Sequence, residues 1–279
     1  MSEQKPQEIL VYTDFTSAGD KAIEWGTYLA QNLKKNLLIL HVINDNTPQD
    51  KDLSSKDETV KKRLKELIAE ISNQAKIIVD SYFEEGCTCS IINATAERRN
   101  VAFIITAIHG LNDPQYLSGK SVLKIVSKAR IPYLVLQKNS PKPEENKDLL
   151  FPVTMQKEIK QKVGWASFFA FKLMEKIQII LPQNTEDLTS NIQFAHKFFK
   201  SFEIDFSEQQ FNTSQFKINK HCIKIADISK HLMLVTINTN NRSLYKRIFG
   251  SEESRLIANK KGLPVLLINP KDDLYIPCL

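Results

Sequence analysis

The sequence predicts an α/β protein in which a parallel-sheet unit occurs twice. Three observations carry this. Residues 9–43 run strand, helix, strand with short connections, an order that forces parallel pairing through a crossover. The same alternation restarts near residue 149. Each series also closes on a proline-led apolar run, Ile131-Pro132 in the first and Leu263-Pro264 in the second.

The elements follow in order. Ile9-Leu-Val-Tyr-Thr13 is a short apolar, β-branched run, the pattern of a buried strand. Asp14 to Ser17 interrupts it with helix-starting residues, and Ala22, Ile23, Trp25, Gly26, Leu29, Ala30 and Leu33 then recur at helical spacing. Leu37 to Ile43 is a second buried strand, and the polar stretch from Asn44 to Lys56 is a loop. Spacing predicts a long helix from Glu58 to about Glu84, a third strand over Cys87–Asn93 and the start of a short helix at Glu97–Asn100. Ala102–Ala107 is a fourth strand, residues Lys120 to Lys128 a helix, and Ile131–Leu136 a fifth strand. Lys138 to Asp148 holds two prolines and six charges, the composition of a linker. The expected division is residues 1–139, a linker over 140–148, and residues 149–279.

In the second series Leu149–Thr154 answers the first strand, Ile159–Met174 the first helix, with Gly164-Trp165 where the first has Trp25-Gly26, and Ile177–Leu181 the second strand. Asn191–Phe202 is a helix, Gln215–Ile218 and Leu232–Ile237 are strands, Gly250-Ser251 opens a helix, and Leu263–Ile268 closes the series.

Composition removes several classes. The chain has 279 residues, 25% charged, with 8 Gly and 11 Pro, which excludes wholesale disorder, collagen and coiled coil. No apolar run reaches the roughly 18 residues of a membrane span. Met1 to Glu8 is polar, without the apolar segment of a signal peptide, so the expectation is a cytoplasmic protein with reduced thiols. Cys87 and Cys89 lie two apart and the other cysteines are isolated; only His221-Cys222 are adjacent, so no metal site is expected. Net charge is +6, with 18 basic and 17 acidic residues up to position 140 and 20 and 15 beyond it. The lysines of the second half are spread along amphipathic segments as solvated faces, and with no nucleic-acid module in view a nucleic-acid partner is not expected.

In open parallel sheets ligands bind beyond the carboxyl ends of the strands, near the switch point. Thr13-Asp14, His41–Asn44 and Thr106–Gly119 fall there. Gly110 and Gly119 stand just before a helix, where backbone N–H groups and the helix N-terminus favour an anion. Asp14 could accept a hydrogen bond from a base or ribose, or cap the following helix. Ser118-Gly-Lys-Ser121 is not a Walker A loop, because position 114 is Pro where that loop needs Gly. His109 reads as a packed or loop histidine, since no nucleophile and orienting partner can be assigned to it.

Ile-Leu-Val-Tyr-Thr-Asp-Phe-Thr at residues 9–16, Leu-Leu-Ile-Leu-His-Val-Ile at 37–43, and Thr106-Ala-Ile-His-Gly110 with Gly119 and Ile131–Leu136 together resemble the universal stress protein family. Two such units in one chain resemble the family's tandem form. The resemblance implies two Rossmann-like domains, each a five-stranded parallel sheet in order 3-2-1-4-5 with helices on both faces. It implies ATP in the first domain, where Thr13 and Asp14 follow strand one, Val42 lies near the adenine, and Gly110, Gly119 and Ser121 form the phosphate loop. The loop departs from the family pattern, Gly-x-x-Gly, nine residues, then Gly-[Ser/Thr]. Ala107 replaces the first Gly, eight residues rather than nine separate Gly110 from Gly119, and Lys120 takes the hydroxyl position ahead of Ser121. In the second half Met155 stands at the Asp position, Thr236–Asn241 lacks glycine and Gly250-Ser251 stands alone, so no nucleotide is expected there.

The resemblance implies a stress-linked binding and regulatory protein, not an enzyme, whose two domains pack as an intramolecular pseudo-dimer through their closing strands. A further homodimer and an unidentified protein partner fit the same reading. The alternatives are a nucleotide-dependent ATP hydrolase or phosphotransferase, and an interaction scaffold with both sites inactive.

Overall fold

Apolar runs without polar alternation settle as strands only when both sheet faces are covered. The computed structural model describes residues 7–44, 56–113, 115–145, 147–155, 159–173, 176–228, 230–236 and 252–269. Its first half runs β1 (Glu8–Tyr12), α1 (Ser17–Leu33), β2 (Asn36–Ile43), α2 (Lys56–Ala75), β3 (Val79–Glu85), α3 (Thr88–Arg98), β4 (Val101–Ile108), α4 (Gly119–Val126) and β5 (Tyr133–Gln137). The second runs β6 (Asp148–Pro152), α5 (Ile159–Lys172), β7 (Lys176–Leu181), α6 (Thr189–Ser201), β8 (Phe206–Gln210), α7 (Ile218–Ile225), β9 (His231–Thr236), α8 (Glu252–Ile257) and β10 (Val265–Ile268).

The strands form one sheet in the order β3-β2-β1-β4-β5-β10-β9-β6-β7-β8. Read from its outer edge toward the seam, each half has the order 3-2-1-4-5. Among the described residues every strand pairing within a half is parallel. At the seam β5 and β10 pair antiparallel, with Tyr133 opposite Leu267, Leu134 opposite Leu266 and Val135 opposite Val265. β4 is buried along its whole length, as its unbroken apolar run requires.

Two segments depart from the sequence expectation. The long helix stops at Ala75, Lys76 turns left-handed at φ 51°, and the third strand is Val79–Glu85. Cys87–Asn93 is therefore not a strand: Cys87 is the N-cap residue of α3, without a side-chain capping bond, and Glu97–Asn100 ends that helix instead of opening one. In the second half the strand beside β7 is Phe206–Gln210, while the expected strand Gln215–Ile218 is a 3-10 turn, Gln215–Lys217, followed by the first residue of α7. Gly250-Ser251 and residues 237–241 lie outside the described residues.

The two halves meet across more than the strand seam. Phe103 of β4 packs edge-on against Trp165 of α5 at 6.3 Å and against Phe169 at 5.7 Å. Within the segment 138–148, the Pro141 carbonyl accepts a 2.9 Å hydrogen bond from Trp25 Nε1, and Ser140 Oγ donates to the Gly262 carbonyl at 2.8 Å. Asn269 Nδ2 donates to the carbonyls of Ser127 and Ala129.

Candidate functional site

Parallel pairing of β1 with β4 brings their carboxyl ends side by side. Asp14 follows β1 by two residues and His109 follows β4 by one, so residues 95 apart in sequence meet. Asp14 is 3% exposed. Its Oδ2 receives His109 Nε2 at 2.8 Å, which fixes the imidazole proton on Nε2. Its Oδ1 accepts from the Thr16 backbone N–H at 3.1 Å and from the Thr16 hydroxyl. Burial pushes the Asp14 carboxyl up, but the bonds from His109 and Thr16 together outweigh it, and the group is held below its ordinary value. The helix cap is Thr16, whose Oγ1 accepts from the Gly19 N–H at 3.3 Å, so Asp14 orients the capping residue instead of capping α1 itself.

The turn that carries Asp14 is tightly fixed. Thr13 is buried, its N–H donates to the Leu40 carbonyl at 2.9 Å, and its hydroxyl oxygen accepts from the Phe15 N–H. Phe15 sits at φ 56°, a left-handed conformation that a bulky residue adopts only when its surroundings impose it. Here the surroundings are the His41 ring, 4.4 Å from the Phe15 ring, and the Arg63 guanidinium, 5.5 Å above it. His41 Nδ1 bonds the Thr13 carbonyl at 2.9 Å, and Val42 beside it is buried in β2. A cavity of about 300 Å³ opens next to Phe15, bounded by Asp20, Ile23, Arg63, Leu67 and two glutamates.

Across the edge, the segment from His109 to Ser121 is hydrogen-bonded to itself. His109 N–H donates to the Leu117 carbonyl at 3.0 Å, Gly119 N–H to Gly110 at 2.9 Å and Lys120 N–H to Leu111 at 3.4 Å. Asp113 Oδ1 accepts from the N–H groups of Gln115 and Tyr116, both at 2.9 Å. Ser118 caps α4 by accepting from the Ser121 N–H, and the two serine hydroxyls lie 3.1 Å apart. Tyr116 stacks on His109 at 4.3 Å. Gly110 turns at φ +92° with open space beside it. Gly119 has a different constraint: a Cβ there would stand 3.0 Å from the Ser254 carbonyl of α8, so the glycine also lets the two halves close. Lys120 is exposed.

Thr13, Asp14, Val42, Gly110, Gly119 and Ser121 thus share one edge of the sheet. The backbone donors that a phosphate would need at Gly119, Lys120 and Ser121 already have internal acceptors. Sequence reasoning missed Thr16 and Tyr116, and it gave His109 no partner. The only sequence signal for His109 was its place directly after an apolar strand and before a glycine.

The second half differs in charge. Met155, at the position of Asp14, is 53% exposed. The buried polar group there is Lys162 of α5, whose Nζ donates to the Pro152 carbonyl and lies 4.7 Å over the Phe151 ring. Burial pushes this amine down to about 7, partly countered by the nearby Cys222 thiol, itself pushed up by burial to about 12. Among the described residues no group of three or more His, Cys, Asp or Glu is placed to hold a metal ion, and no described helix is long and apolar enough to cross a membrane.

The sequence profile described as the universal stress protein family matches residues 6–137. A search of curated protein sequences finds no match. Among solved structures, a universal stress protein from Archaeoglobus fulgidus DSM 4304 superposes with a TM-score of 0.72 at 18% identity, covering 96% of this chain and all of its own. A putative universal stress protein from Pseudomonas aeruginosa UCBPP-PA14 gives 0.62 at 13% identity, over 96% of this chain and 95% of its own. A functionally unknown protein from Pseudomonas aeruginosa PAO1 gives 0.61 at 14% identity, over 96% and 94%. These likenesses show the fold of both halves.

Proposed function

The chain belongs, through residues 6–137, to the universal stress protein family, and from that premise we propose a stress-response binding and regulatory protein with one altered adenine-nucleotide site. The site lies in the first domain, residues 1–139; residues 149–279 form a partner domain that binds no nucleotide and is joined to the first through residues 140–148. The two domains act as an intramolecular pseudo-dimer, and the antiparallel β5–β10 seam supports that reading.

One observation carries the proposal. Asp14 is a buried carboxylate, held ionised at the carboxyl edge of the sheet by donors that a ligand hydroxyl or amino group can replace. A nucleoside entering beside Thr13 and Val42 takes the place of His109 on Asp14 Oδ2. The phosphates gain little, because the N–H groups of Gly119, Lys120 and Ser121 already have acceptors. Lys120 is left as an exposed cation that meets them only through solvent. Recognition therefore rests on the nucleoside, and among the described residues no group in the site is arranged to drive phosphoryl transfer.

Isothermal titration calorimetry on the whole chain tests this. ATP and AMP are expected to bind with affinities within about tenfold of each other, and Asp14→Ala to weaken both by about 10–100-fold, the loss of a hydrogen bond to a charged group. Absence of binding up to millimolar nucleotide refutes the nucleotide assignment. It would favour the interaction scaffold, the reading that the self-bonded loop supports. ATP hydrolysis abolished by Asp14→Ala would overturn the non-catalytic reading.

A further inference from the structure

The second half has a cavity of its own, beyond the carboxyl ends of two of its strands. β7 and β8 run parallel, with Leu181 opposite Gln210, so those ends stand side by side. Ligands of open parallel sheets bind beyond such ends. The turn after β7 and the loop after β8 are tied to each other. Phe211 N–H donates to the Leu181 carbonyl at 3.0 Å, and Gln183 N–H donates to the Thr213 carbonyl at 2.9 Å. Gln210 Nε2 donates to the Gln183 carbonyl at 2.8 Å. These two segments bound a cavity of about 480 Å³, within the roughly 300–1,000 Å³ of small-molecule sites.

The lining is polar in a particular way. Four carboxamides border it, those of Gln183, Asn184, Asn212 and Gln215. Each carries two N–H donors and a carbonyl acceptor in one plane. Asn184 Oδ1 accepts from the Glu186 N–H at 3.0 Å. Among the described residues the side chains of Gln183, Asn212 and Gln215 bond to no other protein group. Asp187 and Lys217 also border the cavity, one of each sign, so the lining carries no net charge. Phe216 borders it too and is 79% exposed, more than any other large apolar side chain among the described residues. A phenyl ring left in water gains free energy when a ligand covers it.

These groups discriminate between ligands. An apolar molecule would take the amides out of water without replacing the bonds they lose. An anion would meet Asp187, and a cation would meet Lys217. A neutral molecule with several adjacent hydroxyls both donates to and accepts from each amide. A sugar ring also presents a face of C–H groups, which the negative face of an aromatic ring attracts. We infer that this cavity binds a neutral saccharide. The amides of Gln183, Asn212 and Gln215 and the Asp187 carboxylate bond its hydroxyls, and Phe216 covers one face of its ring. The site is separate from that of Asp14. Because β5 and β10 pair antiparallel, the carboxyl ends of β7 and β8 lie at the opposite end of the shared sheet from that of β1.

Saturation-transfer NMR on the full chain decides the matter, with glucose, galactose, mannose, N-acetylglucosamine, maltose and cellobiose as probes. At least one of them is expected to bind with a Kd below about 10 mM and to receive most saturation on the C–H protons of one ring face. Phe216→Ala should weaken that binding by about tenfold, and Asn212→Ala by about three- to tenfold. Both side chains are exposed, so the fold should survive, and circular dichroism on the same samples checks that it does. A millimolar excess of ATP or of inorganic phosphate should leave the sugar signal in place. Failure of all six probes to bind up to about 50 mM overturns the proposal. So does an affinity that both variants leave unchanged, or displacement of the sugar by ATP or phosphate.

Discussion

Asp14 and Lys162 occupy corresponding ends of the two halves with opposite charge, and each ties stability to pH in its own window. The Asp14 carboxyl is lowered on folding, so its contribution is fully present above the unfolded value near 4 and is lost as pH falls through the lower folded value. Asp14→Asn is expected to cost about 1–3 kcal/mol at neutral pH, because His109 and Thr16 lose a charged acceptor. In urea titrations the gap between the two proteins should close below about pH 4; a gap that stays constant to pH 2 would show that Asp14 is not paired in the folded chain. Lys162 works in the other direction. Its folded value is about 7 against an ordinary 10.5, so between these the unfolded chain binds a proton that the folded chain refuses, and stability rises with pH across that window. Lys162→Met should remove this slope and stabilise the chain at pH 7 by roughly 1–4 kcal/mol. A slope unchanged in the variant would place its cause elsewhere. Asp14, Gly110 and Gly119 could be singled out from sequence because residue type and strand-end position together mark them. The partnership of Asp14 with His109 could not, since it exists only once β1 and β4 lie side by side. The contact of Gly119 with Ser254 needs the other half of the molecule as well.

Elements were legible in proportion to their burial. β1, β2, β4, β6 and β7 announce themselves as apolar runs because neighbours cover both faces. β3 and β8 stand at the two outer edges of the sheet, and these are the two strands that periodicity misplaced. β3 is largely half-buried, and β8 reads Phe-Ser-Glu-Gln-Gln with its last three residues exposed. Edge strands carry polar side chains that discourage further pairing, which erases the signal used to find them. Ile78 and Val79 also continue the spacing of Ile71 and Ala75, so only the left-handed Lys76 separates helix from strand, and a lysine does not advertise that conformation. The same device ends α1: Lys34 at φ 51° and ψ 46° donates its N–H to the Ala30 carbonyl. Glycine adopts this conformation without the Cβ penalty. Lys34→Gly is therefore expected to raise stability by about 0.5–1 kcal/mol, read from the urea midpoint. A loss of stability would show that the lysine stem contributes more by packing than its backbone costs.

At the scale of the whole molecule the duplication is joined at three depths. The sheet is hydrogen-bonded through β5 and β10, Phe103 of one half packs against Trp165 and Phe169 of the other, and the buried apolar residues form one cluster from Ile9 to Ile268. A single contiguous core favours a single cooperative transition, whereas two cores joined by a pliable linker would melt apart. The prolines and charges of residues 138–148 predict such a linker, yet Ser140 and Pro143 are buried and the Pro141 carbonyl holds Trp25, so the connection itself carries inter-half contacts. The chain supplies its own reporters, because its two tryptophans, Trp25 and Trp165, lie one in each half and both are buried. Trp165→Phe leaves fluorescence from the first half alone, and Trp25→Phe from the second alone. Each variant will shift its own midpoint, so each fluorescence curve must be compared with circular dichroism recorded on the same variant. Coincidence of the two probes in both variants is expected if the seam couples the halves. A fluorescence transition that precedes the circular dichroism change in one variant and lags it in the other would mean that the halves unfold independently despite their shared sheet.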